Sequence, residues 1–259
     1  MQLSYDQILE KAIESREQRK RSSLPKNTLI KDIRLYNTGL PQSALSPYAY
    51  QYTEIFRNIL RRKGFLCPNY HHLYIQVAKT KEEALRFSGS ADSRYIYGVA
   101  TIDYEKYEGS VEEEKAEIVF NLICEGLRDI AHIDQLDTTI LEEAIAEIKK
   151  EGINTELLFQ WLENKKYLLN ITYKCENMIA QDPVFFSLTE KASGKTVKKE
   201  IGRALNFQLH YWLQKITLSS KTINVKASIL FNMSRSLSVC VKVNKGFNPL
   251  NVSHNENTV

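Results

Sequence analysis

The sequence has no long apolar run. Nothing in it approaches the roughly 20 residues that cross a bilayer. Its first stretch, MQLSYDQILEKAIESREQRKR, is charged and amphipathic where a secretory signal needs an apolar core. Cysteine is sparse as well. The four present, Cys67, Cys124, Cys175 and Cys240, lie far apart and form no CxxC pair. That spacing argues against a disulfide scaffold and against a cysteine-based zinc site. The expectation is four reduced thiols in a cytoplasmic protein without a membrane anchor. Neither sign of charge dominates: 35 Lys and Arg face 31 Asp and Glu, for a net charge of +4. A dedicated nucleic-acid binder concentrates its charge far more than this.

Catalytic motifs are also missing. SGKT at Ser193–Thr196 resembles the end of a phosphate-binding loop. Such a loop needs a glycine five residues before Gly194, where Thr189 stands, and a helix after it. A hairpin turn explains it better. His71 and His72 are neighbours in a strand-like stretch, where adjacent side chains point to opposite faces, so they are not expected to share a metal ion. His132, His210 and His254 stand apart with no HExxH spacing. No GxSxG elbow supplies a serine nucleophile, and Cys124 sits on the apolar side of a helical pattern. No catalytic residue, metal site or cofactor is therefore assigned.

What is present is a full complement of core-forming patterns, with 43% hydrophobic and 25% charged residues over 259 positions. Residues 5–21 space Ile8, Leu9, Ala12 and Ile13 as a helix that ends in basic residues. LIKDIRLY and HHLYIQVA read as strands. Between them Ser46 and Pro47 open a helix carrying Tyr52, Ile55, Phe56, Ile59 and Leu60 on one face, and Gly64 closes it. Tyr95–Tyr104 reads as a central strand. Ser110 and Glu113 then match a capping box, with Glu112, Glu113 and Glu114 in the first helical turn. The stripe Val119, Leu122, Ile123, Gly126, Leu127 and Ile130 follows. A second helix begins near Asp137, carries Ile140, Leu141, Ala144, Ile145 and Ile148, and stops at Gly152. INTELLFQWLENKK reads as a third helical piece. Beyond it the period changes to two. Ile223, Val225, Ala227 and Ile229 alternate with polar residues, as do Leu237, Val239, Val241 and Val243, the pattern of an antiparallel sheet with one buried face. The expected fold is α+β: a mixed α/β part over 1–165 with two or three packed helices, an antiparallel β-meander over 166–243, and a polar tail over 244–259. One continuous domain fits the pattern equally.

Two sets of charges invite a functional reading. The basic groups are Arg16, Arg19, Lys20 and Arg21; Arg57, Arg61, Arg62 and Lys63; and Lys195, Lys198 and Lys199. Gathered on one face they would contact a nucleic-acid backbone; spread out, they suit helix ends and an exposed edge. The acidic set is Asp103, Glu105, Glu108 and Glu112–Glu114. Capping and solvation explain much of it, and a partner-facing acidic patch would explain the rest.

The stretch Tyr97–Ala131 followed by Leu141–Gly152 resembles small immunity-type proteins encoded beside polymorphic or contact-dependent bacterial toxins. The matching residues are Asp103, Tyr104, Tyr107, Glu113, Glu114, Lys115, Glu125, Gly126 and Leu127. The resemblance implies a non-catalytic cytoplasmic protein that neutralises a cognate toxin by binding it, and it carries over no contact residues. The candidate partner-binding set is Asp103, Tyr104, Tyr107, Glu108, Glu112, Glu113 and Glu114. An enzyme with a distributed site, and a nucleic-acid-binding or phage-defence component, are the alternatives.

Overall fold

The structure is a computed structural model. It describes residues 27–39, 41–45, 48–68, 70–88, 94–176, 181–204, 215–219, 222–226, 238–242 and 251–255, with the single positions 7, 10, 11, 14, 209 and 213. The chain forms two compact units, Met1–Thr155 and Glu156–Val259. The fold is α+β, as the patterning indicates.

Unit one is built on a parallel sheet. Strands β2 (Asp32–Asn37), β4 (His72–Ala78) and β5 (Tyr95–Thr101) lie in the order β2-β4-β5, while β1 (Thr28–Leu29) and β3 (Leu66–Cys67) form a two-residue antiparallel pair. Helix α1 (Tyr48–Arg62) connects β2 to the β3–β4 segment, and the short α2 (Lys81–Phe87) connects β4 to β5. After β5 come α3 (Tyr104–Gly109), α4 (Glu112–Ile133) and α5 (Thr138–Glu151). The register sets Ile33, Leu73 and Ile96 side by side, and Leu35, Ile75 and Gly98 one pleat further on. Alternation puts both rows on one face of the sheet. That face meets α4, whose whole expected stripe is buried, together with α1, whose Tyr52 and Phe56 rings meet Phe120 of α4 at 5.4 and 5.8 Å.

Two glycines set the helix-to-sheet distance. A Cβ on Gly98 would lie 2.1 Å from the Gly126 carbonyl oxygen, and one on Gly126 would lie 2.3 Å from Ile75. No side chain fits between strand and helix there, so α4 packs backbone to backbone on β5. Gly64 and Gly152 end α1 and α5 at φ of 75° and 60°, where glycine escapes the Cβ clash.

Several expectations change. β5 stops at Thr101 and is an edge strand; β4 is central. The capping box does not form. Ser110 terminates α3, its hydroxyl donating to the Lys106 carbonyl at 2.8 Å, and Val111 precedes α4 with no side-chain cap. The cap lies instead at Asp103, whose carboxylate accepts from the Lys106 amide at 3.1 Å. α2 adds a short helix between β4 and β5, capped by Thr80, whose hydroxyl accepts from the Glu83 amide. The helix expected over 5–21, and Ser46 with Pro47, lie outside the described residues except for Gln7, Glu10, Lys11 and Glu14, which are helical and exposed.

Unit two begins ten residues before the expected boundary of 165, because INTELLFQWLENKK is not a helix. It supplies a 3-10 turn (Gly152–Asn154) that closes unit one, and then strand β6 (Glu156–Glu163). β6, β7 (Tyr167–Lys174), β8 (Asp182–Glu190) and β9 (Thr196–Ala204) form an antiparallel meander. Its buried face pairs Leu169 with Leu188, Ile171 with Phe186 and Tyr173 with Val184. The SGKT residues sit in the β8–β9 hairpin, with Gly194 at φ 68°. A second antiparallel sheet contains β10 (Lys215–Leu218), β11 (Thr222–Lys226), β12 (Ser238–Lys242) and β13 (Asn251–Asn255). β13 falls within the stretch expected as a tail, whose other residues lie outside the described ones.

Candidate functional site

The carboxyl ends of the three parallel strands meet the α3–α4 joint, and this is where the candidate residues gather. In open parallel sheets, ligands collect at these ends. Here an open depression of about 480 Å³ is lined by Lys79, Thr101, Ile102, Asp103, Tyr104 and Glu105. Beside it Asp103, Glu105, Glu108, Glu112, Glu113 and Glu114 are all exposed, forming a rim of carboxylates relieved by Lys106 and Lys115. The Glu112–Glu114 run stabilises the start of α4 by facing its positive dipole end.

Three tyrosine hydroxyls clamp this joint to the segment between β2 and α1 and to the first residue of α1. Tyr104 accepts from the Gly39 amide at 3.0 Å, and its ring covers Gly39 so closely that a Cβ there would lie 2.1 Å from the ring. Tyr107 is 3% exposed and donates to the Ala44 carbonyl at 2.9 Å. Tyr48 donates to Glu112 at 2.8 Å. That bond, then the one from Lys115, lowers the Glu112 pKa, while burial and then Glu112 push the Tyr48 hydroxyl up to about 12. Of the candidate partner-binding set, Tyr107 is therefore a core residue with no ring left to offer. Tyr104 is half-buried and engaged, and Asp103, Glu108, Glu112, Glu113 and Glu114 remain on the surface.

The α1 basic cluster is engaged within its own unit. Arg57 pairs with Glu54 at 2.5 Å, Arg62 with Glu147, and Lys63 with Glu143 at 3.2 Å, while Arg61 donates to the Ile30 carbonyl at 2.6 Å. Arg61 thus holds the residues before β2, Arg62 and Lys63 hold α5, and Arg57 pairs within α1. Lys198 pairs with Glu156 across the meander, and the 16–21 cluster lies outside the described residues. Cys67, Cys124 and Cys175 are buried and outside any disulfide; burial pushes Cys124 up to about 12 and raises Cys67 as well. Such thiols are poor nucleophiles. His71 and His72, expected to diverge, have ring centroids 4.3 Å apart, because His71 precedes the strand and is free of its alternation. Among the described residues no three His, Cys, Asp or Glu side chains are grouped to hold a metal.

A second constellation went unread in the sequence. On the sheet face turned away from α4, the register aligns Arg34, Tyr74 and Tyr97 in one row and Asp32, His72 and Tyr95 in the next, with Tyr36 beside them. Tyr74 has ring centroids at 5.2 Å from Tyr95, 5.4 Å from Tyr36 and 5.5 Å from Tyr97. The Arg34 guanidinium lies 5.8 Å from the Tyr74 ring centre. Hydrogen bonding to Tyr36, then the Asp32 carboxylate, raise the Arg34 pKa further. The signal is one tyrosine each in RLYN and HLYIQ and two at alternate positions in YIYG; only a parallel register turns it into a cluster.

No known protein family matches the chain, and no curated protein or solved structure matches it either. Fold and site together define a two-unit α+β protein with a clamped acidic rim at its strand ends. Among the described residues no helix is long and apolar enough to cross a membrane.

Proposed function

We propose that the chain is a non-catalytic protein-binding module that neutralises a cognate protein toxin by covering a basic surface on it. The observation that carries this reading is the acidic rim, in which exposed carboxylates sit on a joint fixed by the Tyr104, Tyr107 and Tyr48 hydrogen bonds. Charge presented on a rigid support loses little entropy on binding and steers a basic partner into register. The resemblance of Tyr97–Ala131 to immunity-type proteins supports the same direction. The test is co-expression with the product of an adjacent toxin-like gene, followed by stopped-flow association of the purified pair. Wild-type chain should protect and form a stoichiometric complex. The triple variant Glu112→Lys, Glu113→Lys, Glu114→Lys should associate more slowly, and its rate should depend less on salt. Failure to protect or to bind any neighbouring product would sink the reading.

A further inference from the structure

We propose that the tyrosine face of the parallel sheet is a binding site for single-stranded nucleic acid, independent of the acidic rim. It lies on the face turned away from α4, toward the amino ends of β4 and β5, with Tyr36 near the carboxyl end of β2. Four tyrosines, Tyr36, Tyr74, Tyr95 and Tyr97, are gathered there, each half-buried and so supported from below while part of it reaches the surface. Rings fixed by their neighbours stack on a base at low entropic cost, and every base presents a π-face.

Charge decides the class of occupant. Arg34 lies on the face with 57% of its side chain exposed, and Lys31 and Arg94 stand exposed at its margin. The electrostatics of the paired imidazoles register all three cations: Lys31 and Arg94 disfavour protonation of His71, and Arg34 and Lys31 that of His72. Among the described residues of this group the carboxylate is Asp32, which is engaged by Arg34 at 2.5 Å and faces His72 at 3.6 Å. Aromatic rings interleaved with guanidinium and ammonium groups match a strand of bases on a phosphate backbone. A basic protein, which suits the rim, would be repelled here. The rim and this face thus carry opposite charge preferences.

The experiment is fluorescence anisotropy of the full chain with labelled twelve-nucleotide oligo-dT, oligo-U and a duplex of the same length, at low and moderate salt. Single strands should bind more tightly than duplex, and affinity should fall as salt rises. Tyr74→Ala and Tyr97→Ala should each weaken single-strand binding by about 5- to 100-fold, while Tyr74→Phe, which keeps the ring, should bind as wild type. Arg34→Gln should reduce the salt slope by roughly 0.7, the share of one phosphate contact on a single strand. Denaturation midpoints of the variants separate lost binding from lost fold. Lack of single-strand binding at low salt, equal affinity for duplex, or wild-type binding by a folded Tyr74→Ala would overturn the proposal. So would loss of a protein partner, rather than of oligonucleotide, in the tyrosine variants. The Glu112–Glu114 charge reversals should leave oligonucleotide affinity no weaker than wild type, so rim and face fail or succeed separately.

Discussion

Single residues at the strand ends determine what can be tested first. Asp103 satisfies a backbone donor at the start of α3, whereas Ser110 returns a hydrogen bond to the turn before it. Asp103→Ala should therefore lower stability by about 0.5–2 kcal/mol, the ordinary cost of losing a helix cap, and Ser110→Ala by less. Urea denaturation of the two variants reads the difference, and the reverse order would move the cap back to Ser110. The paired imidazoles offer a second test. Burial lowers both pKa values first; His72, Lys31 and Arg94 add to this at His71, while at His72 Asp32 opposes it and Arg34 and Lys31 add to it. Below the ordinary value of 6.5 the unfolded chain binds protons that the folded chain refuses. Stability should then rise with pH through the window between the lowered folded values and 6.5, and flatten above it. Denaturation midpoints from about pH 5 to about pH 8 should show that slope, reduced in the His71→Gln, His72→Gln double variant.

At the scale of elements, legibility followed periodicity and failed where a local device interrupted it. α1, α4 and α5 were readable because long amphipathic stripes report their own burial. β7 was readable because its alternation is unbroken. β6 was not, because its register against β7 shifts between Leu158 and Gln160, and the extra residue Phe159 spoils the period of two. Leu157, Leu158, Trp161 and Leu162 then mimic helical spacing, and the pairing with β7 overrides that local preference. α3 was hidden for another reason: it is a six-residue turn between strand and helix, too short to show a stripe. Its presence takes Ser110 away from α4 and dissolves the expected capping box. The site was half legible. The carboxylates of the rim are named from sequence, but Tyr107, grouped with them as a partner contact, is buried with its hydroxyl on the Ala44 carbonyl, and the tyrosine face needs the register. One prediction belongs here. The Gly98–Gly126 contact leaves no room for a Cβ, so Gly126→Ala should force α4 from the sheet at a cost of about 1–3 kcal/mol. Gly109→Ala, where a Cβ would meet nothing within 4 Å, is the matched control and should be near neutral by thermal denaturation.

For the whole molecule, the division at Thr155–Glu156 makes a claim about autonomy. Unit one holds its own core around Ile75, Phe56, Ile123 and Ile130, its own helical cover, and both the rim and the tyrosine face. β4 pairs with β2 on one side and β5 on the other, both inside that unit. A chain of this length buries enough surface to fold alone, so residues 1–155 expressed by themselves should unfold cooperatively in urea. Gly126→Ala should shift the midpoint of that fragment by the same free energy as it shifts unit one in the full chain. The fragment should also retain whatever binding the full chain shows at either site, because all the residues named for rim and face precede Thr155. A fragment that unfolds without cooperativity would show that the meander completes the first core, and a folded fragment that has lost a binding activity would move that activity into residues 156–259.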